Sequence, residues 1–369
     1  MLDNQIALYV ERDRKVSRQK QYRIVGLCTF VVAAGLLLMR ILLYYLPIES
    51  DLVADAVFSL PLQIGILVVV PFLFYKFGLK KNVREIAAFS SMRKTRWYNL
   101  VLAVPIGLCA YGVTIGVSAI WQNILIQLGY THSSSSLPET FTVGALLLSL
   151  FLTCVLPAFC EEFFNRGGLL TTVRGSFPFK LTLLYMGLEF GLFHQNITQV
   201  FYTALFGAYM AFLCLKCKSL YPGMIVHFIN NACAVVTDYC STYGFFGGGI
   251  ARAVNETRAI FVLMALILVA GAFAGLTVLL SHLNSAKRLE KKKDVIASSG
   301  FDHKNNRVVL VGEEDKEKVR ELGLDKEVYG EKLEEALYKP TLRDNAFFIG
   351  TAVLSFLTTI FSFIFGWVV

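Results

Sequence analysis

Long apolar blocks alternate with short polar or basic segments along this chain. Nine blocks approach or exceed the length of about 20 residues that a helix needs to cross the hydrocarbon core of a bilayer. They predict an all-α fold, a polytopic transmembrane helical bundle of about eight or nine spans. The blocks cover approximately residues 24–46, 52–77, 98–128, 141–166, 180–195, 198–215, 221–239, 259–283 and 347–369.

Basic residues between the blocks predict the orientation of the bundle. They concentrate in residues 1–23, 80–96 and 287–293. Cytoplasmic segments carry the excess of lysine and arginine, so we expect a cytoplasmic N-terminus and a multi-pass protein of a bacterial cell membrane. The segment 80–96 is compatible with an amphipathic helix on anionic lipid or with a solvated basic loop.

The composition agrees with this class. The 369 residues are 55% hydrophobic and 17% charged, whereas about 25% of an ordinary soluble domain is charged. The net charge of +8 does not indicate a nucleic-acid partner, since the positive-inside rule accounts for basic residues in the segments between spans. The eight cysteines show no disulfide framework, and the single Cys214–Cys217 pair is a weak redox or metal signal.

The first candidate chemistry is the octet from Cys160 to Gly167. It contains Glu161, Glu162 and Arg166 at the end of an apolar block. Placing such charges within a span costs free energy, so they normally pair with another group or serve a function. Glu162 and Arg166 share a helix face and can pair, which leaves Glu161 free. The alternative is that the carboxylates mark a helix end near the lipid headgroups.

Two later motifs add histidines within apolar spans. They are His194, and His227 with Asn231 four residues later. A carboxylate and an imidazole can activate water, while an imidazole and a carboxamide can stabilise an oxyanion. We expect these groups to share a cavity suited to amide hydrolysis. In the alternative, Glu161, His194 and His227 bind a divalent metal such as zinc, although no H-E-x-x-H motif occurs.

The three motifs together resemble the CAAX prenyl protease and bacteriocin-processing family of intramembrane endopeptidases, also called the Abi family. The motifs are Glu161-Glu162-x-x-x-Arg166, Phe190-x-x-x-His194 and His227-x-x-x-Asn231. The resemblance implies that Glu161 and His194 activate the water, that Glu162 and Arg166 support them, and that His227 and Asn231 form the oxyanion hole. It implies a glutamate-based or a metal-dependent mechanism, with Phe190 as a packing residue. Glu189 is an additional acid that can pair with Arg166 or Lys180.

The functional hypothesis is an endopeptidase that hydrolyses a membrane-associated or lipidated peptide at the cytoplasmic leaflet, with membrane lipid as its other partner. The first alternative is a non-catalytic bacteriocin-immunity or scaffold protein of the same fold. The second is a transporter, which the lack of an inverted repeat disfavours. The predicted organisation has six parts. They are a basic N-terminus (1–23), N-terminal spans (24–140), a catalytic core (141–245), a further span (246–286), a charged cytoplasmic segment (287–345) and a last span (346–369).

Overall fold

The regular structure of the protein is almost entirely helical. The computed structural model describes residues 2–45, 51–131, 141–244, 267–284, 300–302, 307–309 and 339–368. In one short hairpin, Gly300–Asp302 pairs antiparallel with Arg307–Val309. The sequence also predicts a helix from about 313 to 337 within the charged segment at 287–345, and this part of the segment lies outside the described residues.

Ten described helices form the bundle, and we number them along the chain. They are α1 (Leu2–Tyr45), α2 (Asp51–Leu60, continued to Gly78), α3 (Val83–Phe89), α4 (Trp97–Gln127), α5 (Val143–Val173), α6 (Phe179–Phe193), α7 (Val200–Cys217), α8 (Tyr221–Tyr243), α9 (Ile267–Asn284) and α10 (Leu342–Val368).

Seven of the described helices, namely α1, α2, α4, α5, α7, α9 and α10, are long and apolar enough to cross a membrane. The chain is therefore a multi-pass integral membrane protein, and the all-α polytopic prediction is confirmed. The other two predicted spans form α6, which has only 15 residues, and α8, which carries polar residues along its 23 residues. Both of these helices contribute side chains to the candidate site.

Glycines bring α6 and α7 into close contact. A Cβ atom at Gly191 would lie 2.6 Å from the carbonyl oxygen of Val200, and one at Gly207 would lie 2.6 Å from Phe190 Cβ. Small residues allow two membrane helices to approach at this distance. The packing fixes the C-terminal end of α6, which is the end that precedes His194.

The basic segment at 80–96 contains a helix that packs on the protein. Asn82 caps α3 because its side chain accepts a hydrogen bond from Glu85 N, and the Glu85 carboxylate accepts one from Asn82 N. Ile86 and Phe89 are buried among the core residues of the bundle. The apolar face of the helix thus contacts other helices, where the sequence favoured lipid or solvent.

A buried aspartate ties the start of α10 to α1. Asp344 is 0% exposed, and its Oδ1 accepts hydrogen bonds from Arg23 Nε at 2.5 Å and from Gln19 Nε2 at 3.1 Å. Its Oδ2 accepts from the backbone N and the hydroxyl of Thr341. The last span is therefore anchored at the same end of the bundle as the basic N-terminal segment.

We expect Asp344→Ala to lower the free energy of unfolding by about 1–3 kcal/mol, because it removes a buried acceptor shared by several donors. Thermal unfolding of the purified protein in detergent measures this loss. Arg343→Ala is the matched control, since the neighbouring side chain is exposed. Equal losses in the two variants would show that Asp344 does not anchor α10.

Candidate active site

The two glutamates lie inside a continuous helix. They end the turn Leu156–Glu162 of α5, which then continues through the π-helical segment Phe163–Leu169 to Val173. The exposed fraction is 9% for Glu161 and 0% for Glu162. The alternative that these carboxylates mark a helix end is therefore wrong, because the helix continues beyond them. Carboxylates buried this deeply require partners.

Glu162 is held by an arginine and a histidine. Its Oε1 accepts hydrogen bonds from Arg166 Nη1 and from His227 Nδ1, each at 3.0 Å. Arg166 is also 0% exposed, and its Nη2 donates to the carbonyl oxygen of Gly207 at 3.1 Å. The structure thus contains the expected Glu162–Arg166 pair and extends it to His227 on α8.

The contact with Glu162 fixes the tautomer of His227. An ionised carboxylate only accepts hydrogen bonds, so Nδ1 of His227 carries a proton. The other ring nitrogen, Nε2, lies 4.0 Å from Glu161 Oε2. The imidazole therefore bridges the two adjacent carboxylates, one by a hydrogen bond and one at longer range.

Glu161 keeps one oxygen available. Its Oε1 accepts a hydrogen bond from Gln63 Nε2 of α2 at 3.2 Å. Its Oε2 is buried and has no hydrogen-bond partner among the described residues. Because Gln63 fixes the carboxylate by one oxygen, the other oxygen can accept a hydrogen bond from a water or substrate group.

His194 follows the last turn of α6, and backbone contacts fix its position. Its Nδ1 donates a hydrogen bond to the carbonyl oxygen of Phe190 at 2.8 Å, which leaves Nε2 as the acceptor in the neutral ring. Arg40 of α1 donates to the carbonyl oxygens of His194 and Gln195. Gln195 adopts a left-handed backbone conformation with φ of 48°. The chain therefore turns sharply just after the histidine.

Phe190 packs between the charged and imidazole groups, in agreement with the packing role expected for it. The Arg166 guanidinium lies 4.2 Å from the centroid of its ring, which is a cation–π contact. The ring centroids of His194 and His227 lie 4.8 Å and 6.2 Å away, both in edge-to-face geometry. One aromatic ring thus contacts three of the predicted site residues.

Asn231 is oriented by its neighbours. Its Nδ2 donates to the carbonyl oxygen of Thr153 at 2.9 Å, and its Oδ1 accepts from Asn230 Nδ2 at 3.2 Å. Asn230 in turn accepts a hydrogen bond from Thr114 Oγ1 at 2.9 Å. One N–H of the Asn231 amide remains available for a ligand, because Nδ2 carries two hydrogens.

A cavity of about 600 Å³ brings the predicted residues together. Glu161, Phe190, His194, His227 and Asn231 line it, while Glu162 and Arg166 lie behind its wall. Several other polar residues that line the cavity were not predicted from the sequence. The signal that could have identified them is a polar side chain within an apolar span. They include Gln63, Thr114, Tyr202, Thr203, Asn230 and Asp238.

The metal alternative does not fit this arrangement of donors. Among the described residues, no group of three or more His, Cys, Asp or Glu side chains is gathered in a way that could hold a metal ion. Glu161, His194 and His227 share the cavity, but they do not form such a group. We therefore route no chemical step through a metal.

Glu189 stands apart from these groups. It does not line the cavity, and both of its carboxylate oxygens are buried without a hydrogen-bond partner among the described residues. Of the two partners that the sequence suggested, Arg166 interacts with it electrostatically beyond ion-pair distance, whereas Lys180 forms no ion pair with it, all three being described residues.

Comparison with known proteins finds one family match in this part of the chain. Residues 143–233 match one family model, described as Rce1-like, type II CAAX prenyl endopeptidase Rce1-like. This stretch, called the Rce1-like stretch below, is similar to that family. The family resemblance predicted from the three motifs is confirmed, and the matched stretch contains all seven predicted site residues. No curated protein and no solved structure matches the chain.

The Rce1-like stretch runs from the start of α5 to the first half of α8. The match supports CAAX-type intramembrane protease activity in general. Parts of the site outside the stretch include Gln63 on α2, Thr114 on α4 and Arg40 on α1. Flanking helices therefore position groups that the Rce1-like stretch supplies.

We expect Arg166→Leu to lower the free energy of unfolding by about 3–5 kcal/mol, because Glu162 would stay buried without its main counter-charge. Thermal unfolding in detergent measures the loss. The double variant Glu162→Leu, Arg166→Leu should recover part of it, since no charge is then left unpaired.

Arg174→Leu is the control for this experiment. Arg174 follows α5 directly and is exposed, so its removal should leave the stability unchanged. A double variant as unstable as Arg166→Leu would show that the loss reflects packing and not the unpaired carboxylate.

Proposed function

We propose that the protein is an intramembrane endopeptidase that hydrolyses a peptide bond of a membrane-associated or lipidated peptide. One observation carries the proposal. Glu161 has a buried oxygen without a hydrogen-bond partner among the described residues, and it lines a cavity shared with His194, His227 and Asn231. The Rce1-like match of residues 143–233 supports the same class of reaction.

Glu161 and His194 activate the attacking water. The water hydrogen-bonds to Glu161 Oε2 and lies between it and His194 Nε2, the acceptor nitrogen of the neutral ring. As the water oxygen bonds to the substrate carbonyl carbon, its proton moves to the Glu161 carboxylate. Glu161 then passes that proton to the leaving nitrogen as the carbon–nitrogen bond breaks.

His227 and Asn231 stabilise the negative charge that develops on the carbonyl oxygen. They are four residues apart on α8, so both face the same side of the cavity. The second N–H of Asn231 is available as a donor. His227 donates from Nε2 when its ring is protonated, and Glu162 at Nδ1 stabilises that charge. Donors fixed before the reaction are the most effective ones.

Glu162 and Arg166 act as positioning residues. Neither lines the cavity, and their contacts run to His227, to the Gly207 carbonyl and to the Phe190 ring. Their buried pair sets where the imidazole of His227 can lie relative to Glu161. We infer that they contribute to rate through this geometry.

We expect Glu161→Gln to reduce cleavage of a membrane-anchored peptide library at least about 100-fold, because the amide cannot accept the proton of water. His194→Ala should cause a loss of similar size. The assay uses purified protein in detergent or lipid, with products identified by mass spectrometry.

Glu189→Gln is the matched control, since it makes the same replacement at a carboxyl group whose oxygens are buried but do not line the cavity. It should retain most of the activity. Full activity of Glu161→Gln would contradict the proposed base. If the folded wild-type protein cleaves nothing, the immunity or scaffold alternative replaces the enzyme.

Because the donors do not converge on a metal position, we expect cleavage to continue after treatment with a strong chelator. Activity is compared before and after chelation and after addition of zinc. Loss on chelation with recovery on adding zinc would establish the metal-dependent mechanism and overturn the glutamate-based one.

A further inference from the structure

A chain of hydrogen bonds crosses three helices beside the cavity. Thr114 Oγ1 of α4 donates to Asn230 Oδ1 at 2.9 Å, and Asn230 Nδ2 donates to Asn231 Oδ1 at 3.2 Å. Asn231 Nδ2 in turn donates to the carbonyl oxygen of Thr153 on α5 at 2.9 Å. All four residues line the cavity. The chain therefore connects the predicted oxyanion donor Asn231 to a helix outside the Rce1-like stretch.

The carbonyl oxygen of Thr153 fixes the direction of the whole chain. It can only accept a hydrogen bond, so Asn231 turns its Nδ2 toward it and its Oδ1 toward Asn230. That oxygen requires a donor, which places Nδ2 of Asn230 against Asn231 and Oδ1 of Asn230 against Thr114. Only one orientation of each amide satisfies all of these contacts.

The hydroxyl group of Thr114 supplies the last donor. It has a single proton and lies within reach of two acceptors, the carbonyl oxygen of Tyr111 at 3.1 Å and Asn230 Oδ1 at 2.9 Å. If the proton pointed to Tyr111, two acceptor oxygens would face each other at the shorter of these distances. The hydroxyl group therefore donates to Asn230 and holds both amides in the orientation that Thr153 requires.

Close packing of α4 on α8 fixes the position of Thr114 relative to Asn230. A Cβ atom at Gly107, which lies two turns before Thr114 on the same face of α4, would lie 2.9 Å from Ile229 Cβ. Thr114 and Asn230 are each 8% exposed. Leaving a buried polar group without its partner costs free energy, so the folded protein favours the bond between them.

We propose that Thr114 and Asn230 are positioning residues for the oxyanion donor Asn231. The inference rests on the proposed function. With Nδ2 bound to Thr153 and Oδ1 bound to Asn230, the second N–H of Asn231 is the donor for the carbonyl oxygen of the substrate. Such a donor stabilises the developing charge best when its direction is fixed before the reaction. Helix α4 thus contributes to the rate although it carries none of the seven predicted site residues.

Thr114→Val tests this role, because valine has nearly the shape of threonine but lacks the hydroxyl group. With a peptide that the wild-type protein cleaves, kcat should fall at least about tenfold while KM changes less than about twofold, since the chain acts on the transition state. Thr114→Ser should recover most of the rate lost in Thr114→Val, because serine restores the donor.

Thr351→Val on α10 is the matched control. Thr351 is also buried, but its hydroxyl group donates to the carbonyl oxygen of Phe347 within its own helix, and it does not line the cavity. This variant should keep the wild-type kcat and KM. A loss as large as that of Thr114→Val would show that the rate responds to any removed hydroxyl group.

Double variants separate positioning from an independent effect. Asn231→Ala should reduce kcat at least about 100-fold. Adding Thr114→Val to it should reduce kcat no further, because the hydroxyl group acts through the Asn231 amide. Asn230→Leu should cost at least as much as Thr114→Val, and the two changes together should cost no more than Asn230→Leu alone. Thermal unfolding in detergent shows whether each variant is folded.

Each contrary result has its own meaning. A higher KM with unchanged kcat in Thr114→Val would make Thr114 a substrate-binding residue. Losses that multiply in the double variant with Asn231→Ala would show that Thr114 acts independently of the amide. An active wild-type protein with an equally active Thr114→Val variant would refute the positioning role alone. A folded wild-type protein that cleaves no peptide would refute the proposed function and the positioning role together.

Discussion

The buried ion pair between Glu162 and Arg166 is the interaction on which the site depends. Two opposite charges that are both 0% exposed stabilise each other only with good geometry and further hydrogen bonds. Arg166 donates one to the Gly207 carbonyl and makes a cation–π contact with the Phe190 ring, and Glu162 accepts one from His227. The pair therefore joins α5, α6, α7 and α8, the four helices that make up the Rce1-like stretch.

The two adjacent carboxylates have different surroundings in this arrangement. Neighbouring residues on a helix point about 100° apart, so Glu162 can face the packed helices while Glu161 faces the cavity. Each carboxylate is fixed through Oε1, Glu162 by Arg166 and His227 and Glu161 by Gln63, and each has an Oε2 without a hydrogen-bond partner among the described residues. Only Glu161 lines the cavity. Burial of the first carboxylate makes the position of the second reproducible, which is what proton transfer from a bound water to Glu161 would require.

The helices and the identity of the site residues could be predicted because both depend on local patterns. Apolar block length indicates a span, and a spacing of four residues indicates the Glu162–Arg166 pair. The bond from His227 to Glu162 could not be predicted, since it depends on how α8 packs against α5 and joins residues 65 positions apart. Gln63, Asn230 and Arg40 were missed for the same reason. Their partners are set by tertiary packing, and periodicity carries no information about it.

The packing that stabilises the ion pair also determines how the cavity can be reached. Gly167 and Gly168 follow Arg166 directly, and their lack of side chains lets Ser90 and Tyr75 close the bundle beneath the charges. The attraction between two buried charges weakens if water reaches them. The close packing on this side therefore helps to stabilise the ion pair. The cavity lies on the other side of the pair, where α8 presents polar residues as far as Ser241. The Glu162–Arg166 pair is shielded from water, whereas the neighbouring Glu161 lines a polar cavity. The cavity therefore extends from Glu161 in one direction along the bundle.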